Sequence, residues 1–229
     1  MPRTHLLLLI LALTSHSAFC QVTNQRLFDT VPFMVDHYAR RVARFEAEPI
    51  RGGSVVFLGN SITEGGNWKK LTGDSTAVNR GIGGDITFGV LKRLTEIVQA
   101  KPSKVFLLIG INDIGKDIPD AVIADNIRKI VERLIRESPA TLVYVQTILP
   151  VNPSVKNFPQ HYDKNEHIKN ANHLIRKALQ TVRVKIIDTH KLFSDKRGFL
   201  KTEFTFDGLH LNAAGYQLWA DHLRATQSL

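Results

Sequence analysis

Two short stretches of this chain carry residue types that could cleave an acyl bond. Ser61 follows Gly59-Asn60 at the close of an apolar run, Val55-Val56-Phe57-Leu58, and Asp207 stands three residues before His210 in Asp207-Gly208-Leu209-His210. A serine hydroxyl becomes a nucleophile when an adjacent base takes its proton, and an imidazole serves best when a carboxylate fixes its tautomer. A carboxylate three residues before a histidine can return to the ring within one tight turn. The oxyanion that forms on attack needs hydrogen-bond donors. Asn112 in Gly110-Ile111-Asn112-Asp113 could supply its side-chain amide, or could simply shape a turn. The Gly83-Gly84 pair lets backbone approach a ligand and expose an N–H.

Taken singly these signals are modest, since Asp-x-x-His occurs often by chance. The other histidines offer less. His37, His167, His173 and His222 fall on predicted helices, while His161 and His190 lie in loops without a carboxylate at a comparable spacing. A phosphate-cradling reading of Gly81-Ile82-Gly83-Gly84-Asp85 is disfavoured: the G-x-G-x-x-G spacing is absent and no Lys-Ser/Thr follows. The G-x-S-x-G elbow is also absent, because Thr63 stands where its second glycine would be. Cys20 is the only cysteine, and no closely spaced His/Asp/Glu set emerges beyond Asp207 and His210, so neither a thiolate site nor a metal site is expected.

The elements that must position these residues alternate. Strands are predicted at Ser54 to Leu58, Ala77 to Asn79, Lys104 to Ile109, Thr141 to Val145 and Val184 to Ile187, the clearest of them continuous apolar runs. Helical periodicity is predicted from Phe28 to Glu48, with Phe33, Met34, Tyr38, Val42 and Phe45 on its apolar side. It recurs over Ile86 to Val98, from Pro119, over Lys164 to Thr181 and over Asn212 to Leu223. Continuous apolar strands alternating with helices predict a parallel sheet covered on both faces, a three-layer α/β/α sandwich with five strands. Ligands of such sheets sit at the carboxyl ends of the strands, where Ser61, Gly83-Gly84 and Asn112 all fall.

The bulk numbers bound the rest. At 229 residues, with 43% hydrophobic and 22% charged content, the chain can build one α/β domain of ordinary soluble composition. The formal charge of +9 could favour anionic substrates, but the Lys and Arg residues are spread without an aromatic-interleaved stripe, so nucleic acid is not expected as a partner. Residues 1–20 read as an export signal: Arg3, an apolar run from Leu6 to Leu13, then small residues before cleavage after Cys20. Lipidation at Cys20 is the competing reading, opposed by bulky Phe19. The apolar core there is too short to span a bilayer, and no integral membrane segment is expected in residues 21–229, read as one hydrolase domain. The oligomeric state stays open.

Gly-Asn-Ser-Ile after the first strand, Gly-Gly-Asp after the second, Gly-Ile-Asn-Asp after the third and Asp-Gly-Leu-His before the last helix together resemble the SGNH (GDSL-type) hydrolases. The stretch from Arg80 to Thr87 looks especially like the platelet-activating-factor acetylhydrolase branch and its bacterial relatives. The resemblance spans Val55 to Leu223 and implies a flavodoxin-like SGNH fold, no cofactor, and a serine esterase. It implies Ser61 as nucleophile, Asp207 and His210 as acid and base, and Ser61, Gly84 and Asn112 as oxyanion donors. The family's usual Asp-Ser-Leu is Asn60-Ser61-Ile62 here, which implies tuning of the site. The polar, proline-containing stretch from Val151 to Tyr162 and the absence of an apolar lid favour a small acyl group on a polar alcohol, such as an acetylated sugar. A lysophospholipase or thioesterase acting on lipid acyl groups, an acyltransferase, and a non-catalytic glycan-binding module stay open as alternatives. Trp68 could stack on a sugar ring or fill the core.

Overall fold

The computed structural model describes residues 28–155 and 157–229; the export signal expected at 1–20 lies outside them. In chain order the elements are α1 (Val35–Ala47), β1 (Val55–Gly59), α2 (Ser61–Glu64), α3 (Trp68–Thr72), β2 (Ala77–Gly81), α4 (Thr87–Lys92), α5 (Leu94–Ala100) and β3 (Lys104–Leu108). They continue with α6 (Ile111–Gly115), α7 (Asp120–Glu137), β4 (Leu142–Gln146), α8 (Asn165–Ala178), β5 (Lys185–Ile187), α9 (Thr189–Phe193) and α10 (Ala213–Ala225).

The five strands form one sheet in the order β2-β1-β3-β4-β5, and every pairing is parallel. Strand β1 is buried at all five positions and β3 at four of five, which requires cover on both faces and accounts for their continuous apolar runs. Register places Phe57 of β1 beside Phe106 of β3 and Phe106 beside Tyr144 of β4, so three aromatic rings stack at centroid separations of 4.9 and 4.7 Å. Trp68 extends this ladder, lying 3.8 Å from the Phe57 ring at 2% exposure. It is a core residue, so of the two readings the sequence offered for Trp68 the structure bears out core filling.

Two helix boundaries differ from the sequence expectation. Helix α1 begins at Val35 rather than near Phe28, and the preceding segment is irregular, with bends at Val31 and Phe33. The stripe from Ile86 to Val98 is two helices that meet at Arg93. The break has a polar cause: the buried Arg93 guanidinium turns inward and donates to the Asp85 carboxylate at 3.0 Å and to the backbone carbonyls of Arg80 and Gly59 at 2.9 Å each. A buried arginine with three acceptors is stable only where those acceptors are fixed. Arg93 thereby ties the carboxyl ends of β1 and β2 to the loop that follows β2.

Candidate active site

Parallel pairing of β1 between β2 and β3 brings three loop starts together, because Gly59 is in register with Gly81 on one side and Leu108 on the other. Ser61 follows the first end, Gly84 the second and Asn112 the third. The turn to Ser61 is short because Asn60 caps α2, its side-chain oxygen accepting the Ile62 N–H at 3.0 Å. Asparagine and aspartate both offer the acceptor this cap needs, so the departure from the family's aspartate leaves the cap intact. Gly59 is required for close packing: a Cβ there would lie 2.2 Å from the Leu108 carbonyl oxygen.

The histidine arrives from the other end of the chain. His210 Nε2 lies 2.9 Å from Ser61 Oγ, and its Nδ1 lies 2.7 Å from Asp207 Oδ2. The other carboxylate oxygen, Oδ1, accepts the backbone N–H groups of Leu209 and His210 at 2.9 and 2.7 Å. Burial raises the Asp207 carboxyl, but the His210 amide, the His210 ring and the Leu209 amide outweigh it and hold the group below its ordinary value. Gly208 has φ +84°, and a Cβ there would meet the Asn152 carbonyl at 2.8 Å, so this turn needs glycine. Tyr216 of α10 donates to the Ile62 carbonyl at 2.7 Å, linking the helix after His210 to the helix that begins at Ser61.

Gly84 has φ +74° and its carbonyl accepts the Phe33 N–H at 3.0 Å. Asn112 is buried and gives one of its two amide hydrogens to the Asp85 carbonyl at 2.9 Å, leaving the second for another acceptor. Next to it, Asp113 accepts the Thr87 N–H at 3.0 and 3.1 Å and the Thr87 hydroxyl at 2.5 Å. No cation faces this carboxylate in that set, and burial pushes it up to about 7.

Ser61, His210 and Asp207 are thus joined in one relay, and Gly84 and Asn112, linked through Asp85, follow the two strand ends that flank the one before Ser61. The five lie along one carboxyl edge of the sheet, and the borders of this crevice contain residues not singled out as site residues. Phe158 stands edge-on to the His210 ring at 5.3 Å, and Phe206 stacks near it at 6.2 Å. A Cβ on Gly84 would lie 3.1 Å from side-chain atoms of both Phe33 and Met34. Phe206, Met34 and Phe33 are 68%, 51% and 41% exposed, so apolar surface borders the crevice on two sides. In sequence, Phe33 and Met34 read as the apolar side of a helix; the bent, non-helical backbone before Val35 sets them beside Gly84 instead. His161 is buried beside Phe33 and Phe158, and burial with neighbouring His210 lowers it to about 4, so it is neutral.

Among the described residues no group of three His, Cys, Asp or Glu side chains could hold a metal ion, and no helix is long and apolar enough to cross a membrane.

A five-stranded parallel sheet with Ser61, His210 and Asp207 hydrogen-bonded in series at its carboxyl edge defines an α/β protein with a serine-histidine-aspartate arrangement. Residues 57–218 match the GDSL-like Lipase/Acylhydrolase family, and the chain belongs to that family. It is 29% identical over 169 residues to the alpha2 subunit of platelet-activating factor acetylhydrolase IB from Homo sapiens, covering 71% of this chain and 70% of that protein. The alpha1 subunit from Pongo abelii is 30% identical over 182 residues, covering 76% and 74%. Among solved structures, one from Streptococcus pneumonia, described in relation to platelet activating factor, is 32% identical with a TM-score of 0.77 over 84% of this chain and 94% of that one. An acetylxylan esterase from Geobacillus stearothermophilus shares the fold at 16% identity, with a TM-score of 0.59 over 76% and 94%. The chain is a carboxylic ester hydrolase of the GDSL/SGNH type.

Proposed function

We propose that the chain hydrolyses short-chain acyl esters, acetyl esters first among them, through a covalent acyl-enzyme on Ser61. His210 Nε2 takes the Ser61 proton as Oγ attacks the carbonyl carbon, and Asp207 holds the Nδ1–H so that the developing imidazolium is stabilised. The oxyanion takes hydrogen bonds from the Ser61 and Gly84 backbone N–H groups and the second Asn112 amide hydrogen. His210 then protonates the leaving alcohol, and water enters by the reverse sequence, releasing the acid. The observation that carries this reading is the unbroken relay of 2.9 and 2.7 Å from Ser61 through His210 to Asp207.

The relatives named acetylhydrolases support a small acyl group. On the alcohol side, the exposed Phe33, Met34 and Phe206 favour a substrate with an apolar portion, such as a lipid-like ester, over the acetylated sugar favoured by the polar 151–162 stretch. Export, supported by the pattern of residues 1–20, places the same chemistry outside the cytoplasm. The reading is tested by p-nitrophenyl esters of increasing acyl length, with Ser61→Ala beside wild type. Turnover should be greatest at the shortest acyl groups and absent in Ser61→Ala; wild-type rates in Ser61→Ala overturn it.

A further inference from the structure

Three residues after the proposed nucleophile, at the last position of α2, Glu64 sends its carboxylate across to the loop that follows β2. Its Oε2 accepts the Gly83 N–H at 2.5 Å. The same carboxylate is held from the far side by α1: His37 Nε2 lies 3.0 and 3.1 Å from its two oxygens, and Arg41 Nε lies 3.2 Å from Oε1. Arg41 also donates to the Gly81 carbonyl at 3.0 Å, so the cation that steadies Glu64 is itself fixed to the end of β2. The backbone offers no slack here, since a Cβ on Gly81 would lie 2.2 Å from the Glu64 nitrogen.

The consequence follows from peptide planarity. The Gly83 N–H is held by Glu64, and the Gly84 carbonyl is held by the Phe33 N–H at 3.0 Å. The peptide unit carrying the Gly84 N–H lies between these two anchors. Fixing both neighbouring peptide planes leaves only a narrow range for its orientation, even though two glycines would otherwise allow many. A donor preorganised in this way needs no reorientation when the oxyanion forms.

We propose that Glu64 is a positioning residue for the Gly84 N–H, acting through its hydrogen bond to Gly83, with His37 and Arg41 holding the carboxylate in place. This rests on the assignment of Gly84 as an oxyanion donor, and its test is arranged so that the two can fail separately.

The test compares Glu64→Gln, Glu64→Asp and Glu64→Ala in the full chain, by kcat and KM on p-nitrophenyl acetate alongside thermal melting. Glutamine keeps the reach of the acceptor and loses the charge; aspartate keeps the charge and shortens the reach. Positioning predicts kcat within about 3-fold of wild type for Glu64→Gln and a fall of about 10- to 100-fold for Glu64→Asp and Glu64→Ala, with KM little changed, since a misaligned donor should cost less than the 10²–10³ of a missing one. A merely structural ion pair to α1 predicts the opposite ranking, with aspartate at or above glutamine. That ranking, or wild-type kcat in Glu64→Ala, overturns the inference. If Glu64→Ala does not fold, the glutamine-against-aspartate ranking still decides. Full activity in Ser61→Ala would overturn the underlying reaction, whereas an inactive Ser61→Ala with fully active Glu64 variants overturns the positioning role alone.

Discussion

The Asn112 side-chain amide donates to the Asp85 backbone carbonyl at 2.9 Å, so the turn after β3 is pinned to the loop after β2 one residue beyond Gly84. Two of the three proposed oxyanion donors are thus set relative to one another by a single hydrogen bond. Asn112→Ala should lower kcat on p-nitrophenyl acetate by about 10²–10³ with a small change in KM. Losing the bond to Asp85 should cost about 1 kcal/mol of stability, read by thermal melting. A kcat near wild type would remove Asn112 from the site.

Arg93 makes a different prediction, because it never touches the crevice. Its guanidinium lies 2.9 Å from the Asp85 carboxylate, and both side chains are almost wholly buried. Arg93→Leu leaves that carboxylate buried without its cation, an effect of about 3–5 kcal/mol in comparable pairs. Denaturant unfolding should show a loss of that order. The double variant Arg93→Leu/Asp85→Asn should recover part of it.

Asp113 contributes to the pH dependence of stability with a definite sign. Its folded carboxyl titrates at about 7, well above the ordinary aspartate value near 3.9. The folded chain therefore holds a proton between those values that the unfolded chain has released. Stability is greatest below the unfolded value and falls as pH rises toward 7, at up to about 1.4 kcal/mol per pH unit from this group. Asp85, raised to about 6, acts with the same sign and His161, lowered to about 4, with the opposite sign over part of this range, so the Asp113 contribution is read as a difference. The stability of Asp113→Asn relative to wild type should rise from pH 5 to pH 7, and a pH-independent difference contradicts the assignment.

Phe206 and Phe33 separate substrate recognition from chemistry. Phe206→Ala changes an exposed side chain, so melting should stay within the small range expected of surface substitutions. Turnover of p-nitrophenyl acetate should persist, while KM for an acetyl ester of a long-chain alcohol should rise about 10-fold in Phe206→Ala/Phe33→Ala, about 1.4 kcal/mol, which corresponds to losing contact with roughly two methylenes of the alcohol. Equal KM values for both esters would show that the apolar border makes no contact with the alcohol.

What the sequence made legible was local or periodic. The strand ends before Ser61 and Asn112 follow from apolar runs stopped by glycine, Gly84 follows the shorter, partly polar β2, and parallel pairing sets the three ends side by side. The Asp207-to-His210 turn was legible because both partners lie within four residues. Glu64 was not, since its partners His37, Arg41 and Gly83 are separated from it by 27, 23 and 19 positions and no spacing announces them. The break at Arg93 was hidden by an apolar stripe that continues through both α4 and α5, the interruption being made by acceptors on β1 and β2. Phe33 and Met34 fitted a helical face, and only the irregular backbone before Val35 reveals that they lie beside Gly84.

The most direct measurement is covalent labelling with a fluorophosphonate followed by peptide mass mapping. One adduct on Ser61 is predicted, lost in Ser61→Ala and formed at least about 10³-fold more slowly in His210→Ala, where the serine has no base. Labelling on another residue, or continued ester hydrolysis by an unlabelled Ser61→Ala chain, would contradict the account.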